Sequence, residues 1–339
     1  MNKILTIIIP TYNMEKYLRR CLDSLIIDEE GMKQLEVLVI NDGSKDSSSQ
    51  IAHEYQDKNP DTYRVIDKEN GNYGSCINRG LKEATGKYIK VLDADDWFDN
   101  STFNKYVADL KSQDADLVLT DFNLITEEGL IINESPYSKL FKADFFNIDI
   151  IKFFSNYPNF YGRMHGFTYK LCIIKEMGYV QTEGISYTDT EWVNLPITRV
   201  KTCSFFPYVL YQYLVGREGQ TMAIIQGEAM GQFMEVILNI SNYINKKDFD
   251  KNIYLNYLLR EMKSKLSYIY MRGIYYEDYD KNMLKDFDKK LRRYEDVYKI
   301  TNELKIKHFQ YVKIWRRRGY SIPLYLELFM KLRKILKHE

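Results

Sequence analysis

Along the first hundred residues, short apolar runs rich in β-branched residues alternate with segments whose apolar positions recur every three or four residues. "ILTIII" (Ile4 to Ile9) is stopped by Pro10 and predicts a buried strand. Tyr17, Leu18, Cys21, Leu22 and Leu25 follow at helical spacing, so the next element is a helix with one apolar face. "LEVLVI" (Leu35 to Ile40) predicts a second strand ending in the turn "NDGS", after which Asp46 or Ser47 can cap a helix carrying Ile51, Ala52 and Tyr55. "YRVI" (Tyr63 to Ile66) is a third strand, a helix near Ser75 to Ala84 ends at Gly86, and "KYIKVL" (Lys87 to Leu92) is the fourth strand. This alternation is the signature of a βαβ parallel sheet.

From about 100 to 200 the pattern loosens. Leu117, Val118 and Leu119 predict another strand, the aromatic segment Phe153 to Phe167 predicts loops or short helices lining a pocket, and Cys203 to Val215 predicts a late strand. Beyond Gln226 glycine and proline thin out and helical spacing dominates, which divides the chain into an expected domain over 1–225 and a smaller helical one over 226–339. Charge follows the same division: residues 1–225 hold 24 basic and 32 acidic residues, net −8, and residues 226–339 hold 24 and 15, net +9. With 339 residues, 45% hydrophobic and 28% charged, the chain is long and apolar enough to bury a core. Cys21, Cys76, Cys172 and Cys203 form no C-x-x-C pair and read as reduced, buried thiols rather than a disulfide or zinc framework. The apolar start is too short for a signal peptide, and no run approaches the roughly 18 apolar residues of a spanning helix. A cytoplasmic protein, soluble or peripheral on the inner membrane face, is the expectation.

Open α/β sheets bind ligands outside the carboxyl ends of their strands. The four predicted ends carry "PTYN" (Pro10 to Asn13), "NDGS" (Asn41 to Ser44), "DKENGNYG" (Asp67 to Gly74) and "DADD" (Asp93 to Asp96). In the last of these, Asp93, Asp95 and Asp96 crowd like charges that need either full solvation or a cation. Taken alone, the cluster reads as a polar turn or as a metal site.

Four collinear motifs, "IIIPTYNMEKYLRRCLDSL", "EVLVINDGSKDSS", "NGNYGSCINRGLKEATGKYIKVLDADDW" and "YTDTEW", resemble those of family 2 glycosyltransferases over about the first 220 residues. The resemblance implies an α/β GT-A fold, a Rossmann-like mixed sheet flanked by helices, and an inverting transfer from a nucleotide sugar. By that resemblance Pro10, Thr11, Tyr12 and Asn13 wrap the uracil or ribose of a UDP-sugar, and Asp42 accepts from the base. Asp93 and Ala94 face the ribose and sugar, and Asp95, last acid of the D-x-D-like "DAD", holds a divalent cation, Mn²⁺ or Mg²⁺. Asp96 is left to cap or support the turn. Lys68, Asn78 and Arg79 are placed to face the diphosphate or sugar, with Arg79 ahead of Lys68 because a guanidinium grips phosphate bidentately. Asp189 aligns with the catalytic base, although Thr188 stands where the family commonly has a glutamate, and Glu191 is its rival. "YQYLVGREGQTM" is similar to a mobile loop in which Arg217 and Thr221 close over the diphosphate. His165 reads as a metal ligand, an acceptor contact or simple packing.

The tail from Lys313 to Glu339 holds eight Lys or Arg against two Glu, with Leu324, Leu328, Phe329, Leu332, Ile335 and Leu336 at helical spacing and Trp315 and Tyr320 as amphipathic rings. It fits a helix on an anionic membrane surface or a terminal helix docked on the protein. No recognition module for nucleic acid accompanies it. The expected activity is transfer of a hexose from a UDP-sugar to a saccharide or lipid-linked saccharide acceptor, in cell-surface polysaccharide or glycoconjugate synthesis. The alternatives are a transferase-like assembly subunit without turnover and a nucleotidyltransferase.

Overall fold

The computed structural model describes residues 3–134, 136–217, 220, 225, 227–246, 248–275, 280–305 and 309–321. The chain forms two compact units that divide between residues 223 and 224.

The first unit is built on strands β1 (Leu5–Thr11), β2 (Leu35–Asn41), β3 (Tyr63–Asp67), β4 (Tyr88–Val91), β5 (Trp97–Phe98), β6 (Leu117–Thr126), β7 (Ile131–Glu134), β8 (Phe145–Asp149), β9 (Phe167–Lys170) and β10 (Thr202–Val215). Among the described residues they form one sheet in the order β3-β2-β1-β4-β9-β6-β10-β5, with β7 on β6 and β8 on β10. The parallel half β3-β2-β1-β4 is the βαβ pattern read from the sequence, in register Ile8↔Leu38 and Ile8↔Val91. The other half is mixed, because β9 inserts antiparallel between β4 and β6. Helices α1 (Leu18–Asp23), α2 (Glu29–Gln34), α3 (Ser48–Lys58) and α4 (Asn72–Glu83) carry the crossovers. They are followed by α5 (Asn100–Ser112), α6 (Pro136–Phe141), α7 (Ile150–Asn156), α8 (Leu171–Glu176) and α9 (Asp189–Asn194). Helix α4 lies close on β1 because Gly80 has no side chain: a Cβ there would stand 2.6 Å from Ile8 Cδ1.

Strands buried on both faces read as continuous apolar runs, and Ile7, Ile8, Ile9, Val37, Leu38 and Val39 are all fully buried. The aromatic segment Phe153 to Phe167 does not line a pocket as the sequence suggests. Phe153, Phe160 and Phe167 are fully buried, and Phe141 gathers Phe145, Phe153, Tyr157, Phe160 and Phe205 within 6.0 Å between ring centres. Edge-to-face packing of so many rings makes this segment core. Cys21, Cys76 and Cys203 are buried free thiols and Cys172 is an exposed one.

The second unit contains α10 (Gly227–Lys246), α11 (Lys251–Tyr275), α12 (Lys281–Leu291), α13 (Glu295–Thr301) and α14 (Tyr311–Arg317). Its polar centre is Asp288, which is fully buried and accepts from Arg316 and, at 2.5 Å, from the Tyr270 hydroxyl. The Arg316 guanidinium also lies 4.0 Å over the Tyr298 ring. Trp315 is not an interfacial ring: it is buried, edge-on to Tyr270 at 6.0 Å and to Tyr320 at 4.7 Å. Residues 322–339, which carry the predicted amphipathic helix, lie outside the described residues. No helix among the described residues is long and apolar enough to cross a membrane.

One lysine stands inside the first unit's core. Lys90 on β4 is fully buried and donates to the carbonyls of His165 (2.7 Å) and Phe167 (3.1 Å), anchoring the turn that leads into β9. Burial without a carboxylate partner lowers its ammonium to about 7. Between pH 7 and its ordinary value the unfolded chain therefore binds more protons at this site than the folded one, so stability rises with pH. We expect Lys90 by itself to contribute an increase of about 1–2 kcal/mol in unfolding free energy between pH 7.0 and 8.5. Because the raised Asp93 and Asp96 carboxyls act with the opposite sign, the contribution is read as the difference between the pH slopes of the native chain and Lys90→Met in urea titrations.

Candidate active site

The turn after β4 carries Asp93, Asp95 and Asp96, and β10 holds it in place. Asp96 is fully buried and accepts from the Tyr211 hydroxyl (2.6 Å) and the Leu214 amide (2.7 Å). The same Tyr211 oxygen accepts from the Asp93 amide at 3.1 Å, and the turn closes through the Asp96 amide on the Asp93 carbonyl at 3.0 Å. Asp95 is ion-paired with Arg217, and both side chains are largely buried. Its carbonyl accepts from Arg20 at 2.8 Å, whose guanidinium stacks 3.7 Å over Trp97. Asp93 accepts from the Tyr73 hydroxyl at 2.9 Å.

Electrostatics follow from this crowding. Burial first, then the neighbouring Asp95 charge, push Asp93 up to about 7, and burial with both neighbours drives Asp96 well above the carboxylate range. Tyr73 and Tyr211 are driven well up by burial and by the acids, so both stay protonated as donors. The crowding therefore favours either a proton on Asp93 and Asp96 or a cation beside them, and Arg217 is one such cation.

The nucleotide-side residues occupy the neighbouring strand ends. Thr11 is buried with its hydroxyl on the Ile9 carbonyl at 3.2 Å, while Tyr12 leaves its ring half-exposed directly after β1. Asn13, at φ 52°, accepts from the Lys45 amide (2.8 Å), and its own amide donates to Ser44 (3.0 Å), joining the end of β1 to the "NDGS" turn. Asp42 is buried after β2, ion-paired with Lys68 and accepting from the Gly71 amide at 3.0 Å. Lys68 also reaches Ser75 on α4 at 2.9 Å. Pro10 lies within β1, in register with Ile40, and Ala94 is buried in the acidic turn.

The segment that leads to Asp189 is clamped to α4. Asn78 donates to the Gln181 carbonyl and to Glu183, each at 2.8 Å, and accepts from the Gln181 amide at 2.8 Å. The Gly184 amide donates to the Gly71 carbonyl at 3.1 Å, and a Cβ on Gly74 would stand 1.9 Å from the Thr182 carbonyl oxygen. Glu191 is buried and accepts from both the amide and the hydroxyl of Thr182 at 2.8 Å, so both its oxygens are spent on this segment. Thr188 is buried and accepts from Gln181 at 2.9 Å. Tyr187 sits at φ 67°, a strained value for a bulky residue, immediately before Thr188 and Asp189. The charge of Asp189 raises both Asp93 and Tyr73, which brings it to the acidic cluster.

Two residues expected at the diphosphate or sugar have protein partners in this structure. Asn78 bonds to the 181–183 segment that leads to Asp189. Arg79 pairs with Glu83 one turn along α4 at 3.0 Å, while Arg20 and Arg217 are the guanidinium groups bonded to Asp95. His165 resolves to packing: it stacks on Tyr213 at 4.2 Å, and burial lowers its imidazole to about 3, so it is neutral. Thr221 lies outside the described residues. Sequence reasoning missed Arg20, Tyr73 and Tyr211. Tyr73 lies within the "NGNYG" motif, whereas nothing in the sequence marks Tyr211, 115 residues from Asp96.

No group of three or more His, Cys, Asp or Glu forms a preformed metal cage among the described residues. Mg²⁺-like ions need only one or two carboxylates when substrate phosphates supply the other ligands. Asp95, whose carboxylate already takes a cationic partner in Arg217, fits that requirement.

The half-parallel, half-mixed sheet flanked by helices has the GT-A fold. In fold the chain is similar to Staphylococcus aureus TarS 1–349 in complex with UDP-GlcNAc (TM-score 0.68, 20% identity, 93% of this chain and 92% of that one). It is also similar to the Pyrobaculum calidifontis mannosyltransferase PcManGT in complex with GDP-Man and Mn²⁺ (TM-score 0.52, 16% identity, 80% and 74%). Residues 6–171 match the model of glycosyl transferase family 2, so the first unit carries a domain of that family. Glycosyltransferase GlyA of Streptococcus pneumoniae is 33% identical over 144 residues, 40% of this chain and 20% of GlyA. The matched segments span 20% to 35% of the length of the first curated relatives.

Tyr211→Phe leaves the Asp93 amide and one Asp96 oxygen without their buried partner. A loss of about 1–3 kcal/mol is expected in urea unfolding.

Proposed function

We propose that the chain is an inverting glycosyltransferase that moves a hexose from a UDP-sugar to a saccharide or lipid-linked saccharide acceptor, in cell-surface polysaccharide or glycoconjugate synthesis. The observation that carries this reading is the acidic turn of Asp93, Asp95 and Asp96 after β4, whose Asp93 feels the charge of Asp189, with the Asp42–Lys68 pair on the neighbouring strand ends. The UDP-GlcNAc complex of TarS and the GDP-Man complex of PcManGT, proteins of the same fold, support a nucleotide-sugar donor.

In this reading Thr11, Tyr12, Asn13 and Asp42 bind the nucleoside, the exposed Tyr12 ring stacking on the base and the Asp42 carboxylate accepting from it. Asp93 orients the ribose and sugar while its oxygen is steadied by Tyr73. Asp95 would hold a divalent cation, Mn²⁺ or Mg²⁺, which when bound neutralises charge on the diphosphate. Arg217 then exchanges its Asp95 partner for the diphosphate and, with Thr221, closes the site against water. Asp189 takes the proton from the acceptor hydroxyl as its oxygen bonds to C1. The bond from C1 to the diphosphate oxygen breaks with its electron pair leaving on UDP, and a single displacement inverts the anomeric centre. Glu191, with both oxygens held by Thr182, is the less suitable base. The basic 313–339 segment would hold the enzyme on the cytoplasmic face of an anionic membrane.

A panel of UDP-hexoses with Mn²⁺, assayed for UDP release, tests the proposal. One donor is expected to turn over, and Asp189→Asn should lower its rate by about 100- to 10,000-fold while UDP still binds. Silence across the panel, or an unchanged rate in the variant, contradicts it.

A further inference from the structure

The second unit contains a cavity that the transferase reading leaves unused. It measures about 680 Å³, within the range of small-molecule sites, and lies between one face of α11 and the segment after α13. Helix α11 buries Tyr254, Leu258, Met262, Leu266 and Ile269 on its core side. Of the residues it gives to the cavity, Arg260, Ser264, Ser267 and Met271 recur at three- and four-residue intervals, with Lys263, Tyr268 and Arg272 beside them.

The lining is rich in cationic side chains: Arg260, Lys263, Arg272 and Lys305 stand there with one carboxylate, Glu303. Glu303 is engaged by Lys263 at 2.9 Å. Tyr268 and Leu304 add an apolar wall. A neighbouring cavity of about 250 Å³ shares Lys305 and contributes Lys313 and Arg317, extending the cationic lining. Guanidinium and ammonium groups around serine hydroxyls are the donors that a phosphate group takes, and the apolar wall suits the carbon skeleton esterified to it.

We propose that this cavity binds a phosphate ester, a site distinct from the donor site of the first unit and independent of its chemistry. The ester is either a soluble glycerol phosphate type or the headgroup of an anionic lipid, which share the recognised group. Full-length protein is titrated with glycerol phosphate and, separately, sedimented with phosphatidylglycerol and phosphatidylcholine vesicles. Saturable binding is expected in at least one arm. Response to glycerol phosphate assigns a soluble ester, and response to phosphatidylglycerol vesicles alone assigns the headgroup. Arg260→Ala with Lys305→Ala should weaken that binding at least about tenfold. Lys305→Glu, at an exposed position off α11, should do the same without disturbing the helix. Lys289→Ala with Lys299→Ala removes equal charge away from the cavity and should change binding less than about twofold. Absence of binding in both arms, or equal weakening by the Lys289 and Lys299 substitutions, overturns the proposal.

Discussion

The geometry of the first unit depends on how three carboxylates are kept together at the end of β4. Left to themselves they would repel and open the turn. Two devices prevent this. Tyr211 and Leu214 on β10 donate to Asp96, so the innermost acid is bonded into the sheet, while Arg217 neutralises Asp95 from the far end of the same strand. Asp93 then has a fixed position, with its amide on Tyr211 and its carboxylate on Tyr73. Crowding is retained but organised, and its cost appears as the raised Asp93 and Asp96 carboxyls, which hold their protons more tightly.

Strand β10 thereby couples distant parts of the chain. It pairs in parallel with β6 and antiparallel with β5, which carries Trp97 under Arg20. A second clamp, through Asn78, Gly74 and Glu191, fixes the 181–188 segment against α4 and delivers Asp189 to the acids. Rigid elements supply the positions on both sides, as a site of defined geometry requires.

Legibility in the sequence tracked the range of the interactions. The first four strands were readable because each is a continuous apolar run followed by a local turn signal, and the strand ends followed from them. Strand β9 was not, since its antiparallel place between β4 and β6 depends on pairing across some 50 to 80 residues. The aromatic segment after Phe153 was mistaken for a pocket lining because rings serve cores and pockets alike, and only their mutual contacts distinguish the two. Asp93, Asp95 and Asp189 stand in recognisable motifs. Tyr211 and Lys90 do not, for a tyrosine in a strand and a lysine in an apolar run carry no local mark of the carboxylate or carbonyls they meet. The partners of Asn78 and Arg79, Gln181 and Glu183 for the first and Glu83 for the second, were equally unmarked.

The central claim is that this ordered acidic turn, with Asp42 and Lys68 beside it, is a nucleoside diphosphate site. Calorimetric titration of the full chain with UDP, with and without Mn²⁺, tests it most directly. The account predicts saturable binding of one UDP that strengthens with the cation, and loss of that strengthening in Asp95→Asn. Failure of UDP to bind under either condition, or a cation effect that survives in Asp95→Asn, would contradict it.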